Sequence, residues 1–463
     1  METFPSNNET NKRNSKKKYV LREETHMPII SIYFWKGHWL INMEDKKTWD
    51  LISVASIPLV MTLGNSMLIP VLTIMEKKLG ISSLQSSMLI TTYSVVAILL
   101  IPLAGFLSDR MGRKTIIIPS LLIAGLGGLL SGWVAWKMAN PYMMILVGRT
   151  LQGVGAAGAF PIVMPLIGDM YRNDKEVSTG LGIIETSNTF GKVLSPVLGA
   201  WLASLIWFLP FFATPVFCLL SLLLVAFFVK APREKQKPKS FGDYKKSIRA
   251  IFHAEGRWLY AVFAIGCISM LVLFGVLFHL SSVLEDQYKW EGIKKGLVLA
   301  IPLASLCFVS YVTGKVIGEN KLLMKWLSTS GMLVLFVSMV WISLSQPSIY
   351  LFLILLCAGG AGIGATLPSL DALLTERFEK TERGTITALY NSARFVGVAI
   401  GPPLFAYLIA FSHRVLFLMV AGICLVAVIL SLFAIKPAKT GTTKKEDSSS
   451  ESSMIARKRK AKT

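Results

Sequence analysis

The chain has 463 residues, 53% of them hydrophobic and 16% charged, with a mean hydropathy of +0.57. Soluble domains carry about 25% charged residues, so this composition excludes a water-soluble fold for the bulk of the chain. The net charge of +21 does not indicate nucleic acid as a partner, because the cations follow a membrane topology and no segment outside the bilayer is expected to fold and present them.

Residues 1–28 are polar and lack the apolar core that follows a basic region in a secretory leader. The stretch IISIYFWKGHWLI, 29–41, is too short to span a bilayer and suits the interface. From Met43, MEDKKTWDLIS gives a short charged leader into the first long apolar run, so a start at Met43 is an alternative reading of this end.

Apolar runs of about 20 residues, enough to cross a bilayer, then recur twelve times. They cover 48–73, 86–108, 115–136, 142–169, 178–203 and 207–230, then 258–284, 294–318, 325–345, 349–375, 385–411 and 415–436. The boundary at SLIWFLP, between the fifth and sixth, has the least polar loop. The segment 231–257 is a Lys-rich linker in which YKKSIRAIF reads as a basic surface helix. The tail 437–463 is almost free of apolar residues and is expected to be disordered. An even number of spans puts both ends on one side, and most of the 48 Lys and Arg residues lie in the tails, the linker and alternate short loops. That excess marks the cytoplasmic side, as expected of a multi-pass protein of the cell membrane with both termini inside.

The five cysteines stand singly in apolar spans, without the paired spacing of zinc sites or disulfides, so no metal is expected. His279, near the outer end of span seven, reads as a packing residue, with proton handling as its alternative.

A repeat with a period of about 206 residues aligns GVGAAGAFP (Gly153–Pro161) with GAGIGATLP (Gly360–Pro368), and GKVLSPVLG (Gly191–Gly199) with GVAIGPPLF (Gly397–Phe405). The expected fold is therefore all-α, with 12 transmembrane helices in two six-helix halves, 48–230 and 258–436. Such halves clasp a substrate path and rock about it.

Between spans two and three lies GFLSDRMGRK, Gly105–Lys114. Gly105 allows close helix approach, and Asp109 can face a helix N-terminus, which favours anions by about 0.3–1 kcal/mol. Gly112 permits a tight reversal, while Arg110, Arg113 and Lys114 supply cations. This spacing resembles the signature of the major facilitator superfamily, Gly-x-Leu-Ala/Ser-Asp-Arg/Lys-x-Gly-Arg/Lys-Arg/Lys, at every specified position. The resemblance implies a latch in which Asp109 and Arg113 bind across the two halves when the cytoplasmic side is closed, with Asp169 as the carboxylate pairing that arginine. The matching second-half segment, GKVIGENK (Gly314–Lys321), lacks the Asp and most of the cations, so the latch is one-sided.

RTLQGVGAAG, Arg149–Gly158, is similar to the family segment in which a buried arginine takes part in proton transfer. Gly191, Ser195, Pro196 and Gly199, echoed at Gly397, Gly401 and Pro402, resemble the family's exporter motif with two glycines replaced by other small residues. LGIIETSNTFGKVLSP resembles the drug and aromatic-compound exporters of bacilli, a group that includes a catecholate siderophore exporter.

A charge inside the bilayer costs about 2.5–3.5 kcal/mol, so each needs a partner, water or a function. Glu185 shares one face of span five with Asn188, Lys192, Ser195 and Gly199. It is either a proton carrier or the partner of an ion pair with Lys192. Arg149 either acts on Glu185 or stabilises carbonyls of span four. Asn391 and Arg394 occupy the repeat positions of Glu185 and Asn188, so Lys192, Asn188, Asn391 and Arg394 are the candidate substrate-binding residues. Asp371 is expected near the cytoplasmic end, solvated. Span one carries Thr62, Asn65 and Ser66 at its centre and no acid.

These features point to proton-coupled antiport of small amphipathic or aromatic compounds, such as drugs or a siderophore, by a monomer whose partners are the substrate, protons and membrane lipid. Lipid or glycolipid flipping on the same fold and a non-transporting membrane sensor are the alternatives. No phosphate-binding loop or nucleophile elbow is present, so neither enzymatic chemistry nor a cofactor is expected.

Overall fold

A computed structural model describes residues 45–171, 174–229, 241–318, 320–345, 348–378 and 380–435. The segment 29–41, a start at Met43 and the disorder of the C-terminal tail lie outside the described residues. Among those residues every regular element is helical.

Span one is not a single rod. It runs as α1 (Asp45–Ser66), a 3-10 turn at Ile69–Val71 and α2 (Leu72–Leu79), because Pro70 has no N–H to continue the α-helical ladder. Gly80, at φ +64, ends α2, and Ser82 caps α3 (Ser83–Met111) through a reciprocal bond pattern with Gln85. Gly112, at φ +99, joins α3 directly to α4 (Arg113–Lys137). Span four is α5 (Tyr142–Ala159) and α6 (Val163–Met170), broken around Pro161. Then come α7 (Asp174–Leu205) and α8 (Leu209–Phe228), so SLIWFLP does hold the break between spans five and six.

The second set comprises α9 (Phe241–Asp286), α10 (Gly292–Ile317), α11 (Lys321–Leu344), α12 (Ile349–Arg377), α13 (Lys380–Ile409) and α14 (His413–Ala434). The YKKSIRAIF segment is helical but is not a separate surface element. It is the first part of the 46-residue α9 and continues into span seven, with Lys246, Arg249 and Arg257 exposed and Ile251 and Trp258 buried.

Eleven of the described helical stretches are long and apolar enough to cross a membrane. The twelfth crossing is α7, whose 32 residues include Glu185 and Lys192, lowering its hydropathy. At 1.5 Å per residue it is about 48 Å long, and it packs along α1 and α10, both of which qualify.

The two sets pack alike. In the first, α1 lies on α7 and α8, α5 on α3 and α4, and α4 on α8; in the second, α9 lies on α13 and α14, α12 on α10 and α11, and α11 on α14. The glycines explain the closeness. A Cβ at Gly153 would lie 2.5 Å from Tyr93 O of α3, and one at Gly360 would lie 2.5 Å from Pro302 O of α10. Gly155 meets Ser120 O of α4 and Gly362 meets Gly331 O of α11 in the same way. The sets join along α3 with α13 and α7 with α10. We call the end at Gly112 the motif end and the end at Gly80 the far end.

Candidate functional site

The site lies at mid-depth where α1, α3 and α7 face α9 and α13. Its cavity, of about 70 Å3, is lined by Asn65, Tyr93, Asn188, Lys192, Asn391 and Arg394 among others. Small-molecule pockets typically measure about 300–1,000 Å3, so the helices must part to admit cargo.

Three of the lining residues, Thr62, Asn65 and Asn188, are hydrogen-bonded to neighbouring side chains. Asn65 Oδ1 accepts from Arg149 Nη2 at 2.6 Å. Arg149 is fully buried, donates also to Leu89 O at 2.8 Å and Gln152 Oε1 at 2.6 Å, and lies 4.6 Å from the centroid of the Tyr93 ring. Its carbonyl partners, Gly64 O and Leu89 O, belong to spans one and two, not to span four, and it makes no contact with Glu185. Thr62 donates to Asn188 Oδ1 at 2.7 Å, and Asn188 Nδ2 donates to Glu185 at 3.3 Å.

The others are incomplete. Lys192 is 8% exposed, and among the described residues its ammonium makes no hydrogen bond or ion pair. The Glu185–Lys192 pair is not formed, since two helical turns, about 10.5 Å of rise, separate them, and Glu185 turns to Asn188 instead. Asn391 Nδ2 is buried with no hydrogen-bond partner among the described residues. Arg394 reaches Asp371 Oδ1 of α12 at 3.7 Å.

Asp371 therefore differs from the sequence expectation. It is not an isolated solvated acid; it belongs to a charge group with Arg394, Glu185 and Lys192, all within electrostatic reach. Sequence reading also passed over the aromatic wall, in which Phe395 of α13 meets Tyr93 at 6.3 Å and Phe160 at 6.5 Å between ring centroids. Phenylalanines abound in lipid-facing positions, so nothing in one sequence separates these from the rest.

The motif end gathers Asp109, Arg113 and Asp169. Arg113 pairs with Asp109, bonds Asp169 Oδ2 at 3.0 Å through Nε, and donates to Ser108 Oγ at 2.8 Å. All of these partners lie in the first set, and among the described residues Arg113 makes no ion pair or hydrogen bond to the second. The reversal at Gly112 folds the guanidinium back over the end of α3, which places it there. Arg110, beside Asp109, lies in the last turn of α3. Toward the second set, a Cβ on Gly105 would lie 4.0 Å from Cβ of Ala388 of α13, and one on Gly384 would lie 3.8 Å from Cβ of Pro165.

The small residues of the exporter motif are packing surfaces. Gly199 meets Met67 O, just past α1, and a Cβ on Gly191 would lie 3.3 Å from Leu59 O and Thr62. In the second set Gly397 meets Cys267 O of α9, and a Cβ on Gly401 would lie 2.5 Å from Leu271 O. Ser195 Oγ bonds Lys192 O at 2.9 Å, while Pro196 and Pro402 lie inside their helices. His279 is buried among Phe352, Phe405, Phe417 and His413, a packing environment.

Comparison with known proteins gives a consistent picture. The Major Facilitator Superfamily profile matches residues 54–359 and 325–462. The chain is 52% identical over 395 residues to the bacillibactin exporter of Bacillus subtilis (strain 168), covering 84% of this chain and 97% of that one. It is 24% identical to multidrug resistance protein 2 of the same organism, over 78% of this chain and 89% of that protein. Among solved structures, the human organic anion transporter MFSD10 (TETRAN) superimposes with a TM-score of 0.67 at 17% identity, covering 84% of this chain and 100% of that one.

Proposed function

The chain belongs to the Major Facilitator Superfamily and is a secondary efflux transporter of the membrane, and from that premise we propose that it expels anionic aromatic compounds in exchange for protons. The observation that carries this reading is a pair of donors that line one cavity and have no acceptor among the described residues: the ammonium of Lys192, a residue 8% exposed, and the buried Asn391 Nδ2. An unmatched donor in a low-dielectric site favours a ligand that brings acceptor oxygens. Arg394 stands beside them, held only loosely by Asp371. The ring faces of Tyr93, Phe160 and Phe395 suit an aromatic body. A catecholate siderophore such as bacillibactin, the cargo named for the 52% identical exporter, has both features.

Glu185 is the proton carrier. Its support is geometric: a half-buried carboxylate bonded by Asn188 at 3.3 Å, with no ion pair among the described residues. Arg149 does not relay the proton directly. It fixes Asn65 at the cavity wall and ties α1 and α3 to α5. Asp109, Arg113 and Asp169 steady the motif end, which faces the cytoplasm together with both termini, as the cation distribution requires. The transporter works as a monomer, two six-helix halves rocking about the cavity. Lipid flipping is not favoured, since the relatives are named for bacillibactin export and multidrug resistance.

In everted vesicles, an inward-acid gradient should drive uptake of a catecholate by the wild type, and a protonophore should abolish it. Uptake unaffected by the protonophore would exclude the exchange.

A further inference from the structure

At the far end α2, α9 and α10 meet around one buried carboxylate. Glu285 lies in the last turn of α9, and α10 begins just before Lys295, so the short connection folds the two side chains together. Lys295 Nζ lies 2.7 Å from Glu285 Oε2, and the two side chains are 1% and 2% exposed.

The rest of the ammonium's shell comes from the first set of helices. Lys295 also donates to Pro70 O at 2.9 Å and to Thr73 Oγ1 at 2.6 Å. An ammonium has three donors, and all three are used, two of them across the interface between the sets. Thr73 in turn donates to Glu285 Oε2, and Lys77 donates to Glu285 Oε1 at 2.7 Å. Asp286 lies 3.8 Å from Lys77, and Glu291 is the remaining charge nearby.

Two further contacts close the same seam. Ser281, one turn before Glu285, donates to Ile69 O at 3.1 Å. Gly296 brings α10 against α7, where a Cβ would lie 2.6 Å from Pro196 O. Lys192 also borders a void of about 10 Å3 that is lined by Ile69, Ser195, Leu273 and Leu277 among others. That is room for about one water molecule.

Cargo leaving by the far end must pass between α1–α2 and α9–α10. Their separation strips Lys295 of two acceptors and Glu285 of Thr73 and Lys77. A network complete in one arrangement and broken in the other is a two-state element that biases the conformational equilibrium. We propose that Glu285 is a positioning residue for transport: through Lys295 it clasps Pro70 and Thr73 and so holds the far end closed until cargo is to be released. This clasp goes beyond the cargo and proton sites and shares no residue with them.

The test is a distance measurement on the full chain in lipid nanodiscs. Labels carried on non-natural amino acids replace Leu84 of α3 and Ile293 of α10, both exposed at the far end. Electron–electron resonance then gives the distance distribution. The wild type should show one dominant short distance. Glu285→Gln should add a longer population, shifting the closed-to-open ratio by about tenfold, and Thr73→Val should shift it less in the same direction. The double variant Glu285→Gln/Lys295→Met leaves neither charge unmatched, so it reads the clasp even if the single variant does not fold. Lys295→Arg, which keeps the cation, should stay closed. A wild-type distribution in the folded double variant overturns the proposal, whatever is found for cargo or protons.

Discussion

Lys192 of α7 and Arg394 of α13 face one cavity from different sets of helices, yet only Arg394 has a carboxylate beside it, Asp371 at 3.7 Å. With Glu185 protonated, as the proposed exchange requires, the group of Lys192, Arg394, Asp371 and Glu185 carries one net positive charge. In that proposal Arg394 is balanced by Asp371, and Lys192 is the cation that meets the ligand.

Neutralising Asp371 should therefore strengthen the hold on an anion. In Asp371→Asn the KM for a catecholate should fall a few-fold while turnover slows, because cargo released less readily lowers the rate of exchange. Initial rates in everted vesicles separate the two effects.

Removing the proton carrier should leave binding intact. Glu185→Gln keeps the bond from Asn188 but cannot lose a proton, so uptake driven by a pH gradient should stop while exchange of internal for external cargo continues. Full pH-driven uptake in this variant would move the carrier role elsewhere, with Asp371 as the next candidate.

Arg149 should matter for stability more than for coupling. Arg149→Lys loses the fork that reaches Asn65, Gln152 and Leu89 O together. Each lost bond to a charged group is worth about 1.5–3 kcal/mol, so the melting temperature in detergent should drop by several degrees.

The repeated glycines should be as sensitive as any charged residue. A Cβ on Gly397 runs into Cys267 O and would lie 2.8 Å from Leu271 N. Gly397→Ala should destabilise by about 1–3 kcal/mol, the usual cost of overpacking, and Gly182→Ala, with nothing within 4 Å, should not. Thermal unfolding of the two variants makes the comparison.

Much of the architecture was legible in the sequence because bilayer thickness imposes a length and an apolar run on each span. Even the charged α7 was found, since its polar residues fall on one face. The repeat was legible because the same helix crossings need glycine at the same places, as Gly153 and Gly360 show against Tyr93 O and Pro302 O. What stayed hidden depends on how helices rotate and meet. Asp371 and Arg394 belong to different helices, and only packing of α12 on α13 makes them neighbours. Glu285, just past span seven, and Lys295, at the start of span eight, carry no mark in the sequence that they meet, although they are among the most buried ions of the described residues. The latch residues were found together, but the direction in which Arg113 points follows from the backbone at Gly112, which no side-chain pattern encodes.

The central claim is that Lys192 anchors an anionic aromatic cargo. It is tested most directly by uptake of a radiolabelled catecholate into everted vesicles under a fixed pH gradient, comparing the wild type with Lys192→Met. Loss of a charged hydrogen bond of about 1.5–3 kcal/mol should raise the KM by about 10- to 100-fold, while uptake of a cationic aromatic dye is not impaired. An unchanged KM for the catecholate, or an equal loss for the dye, would contradict the account.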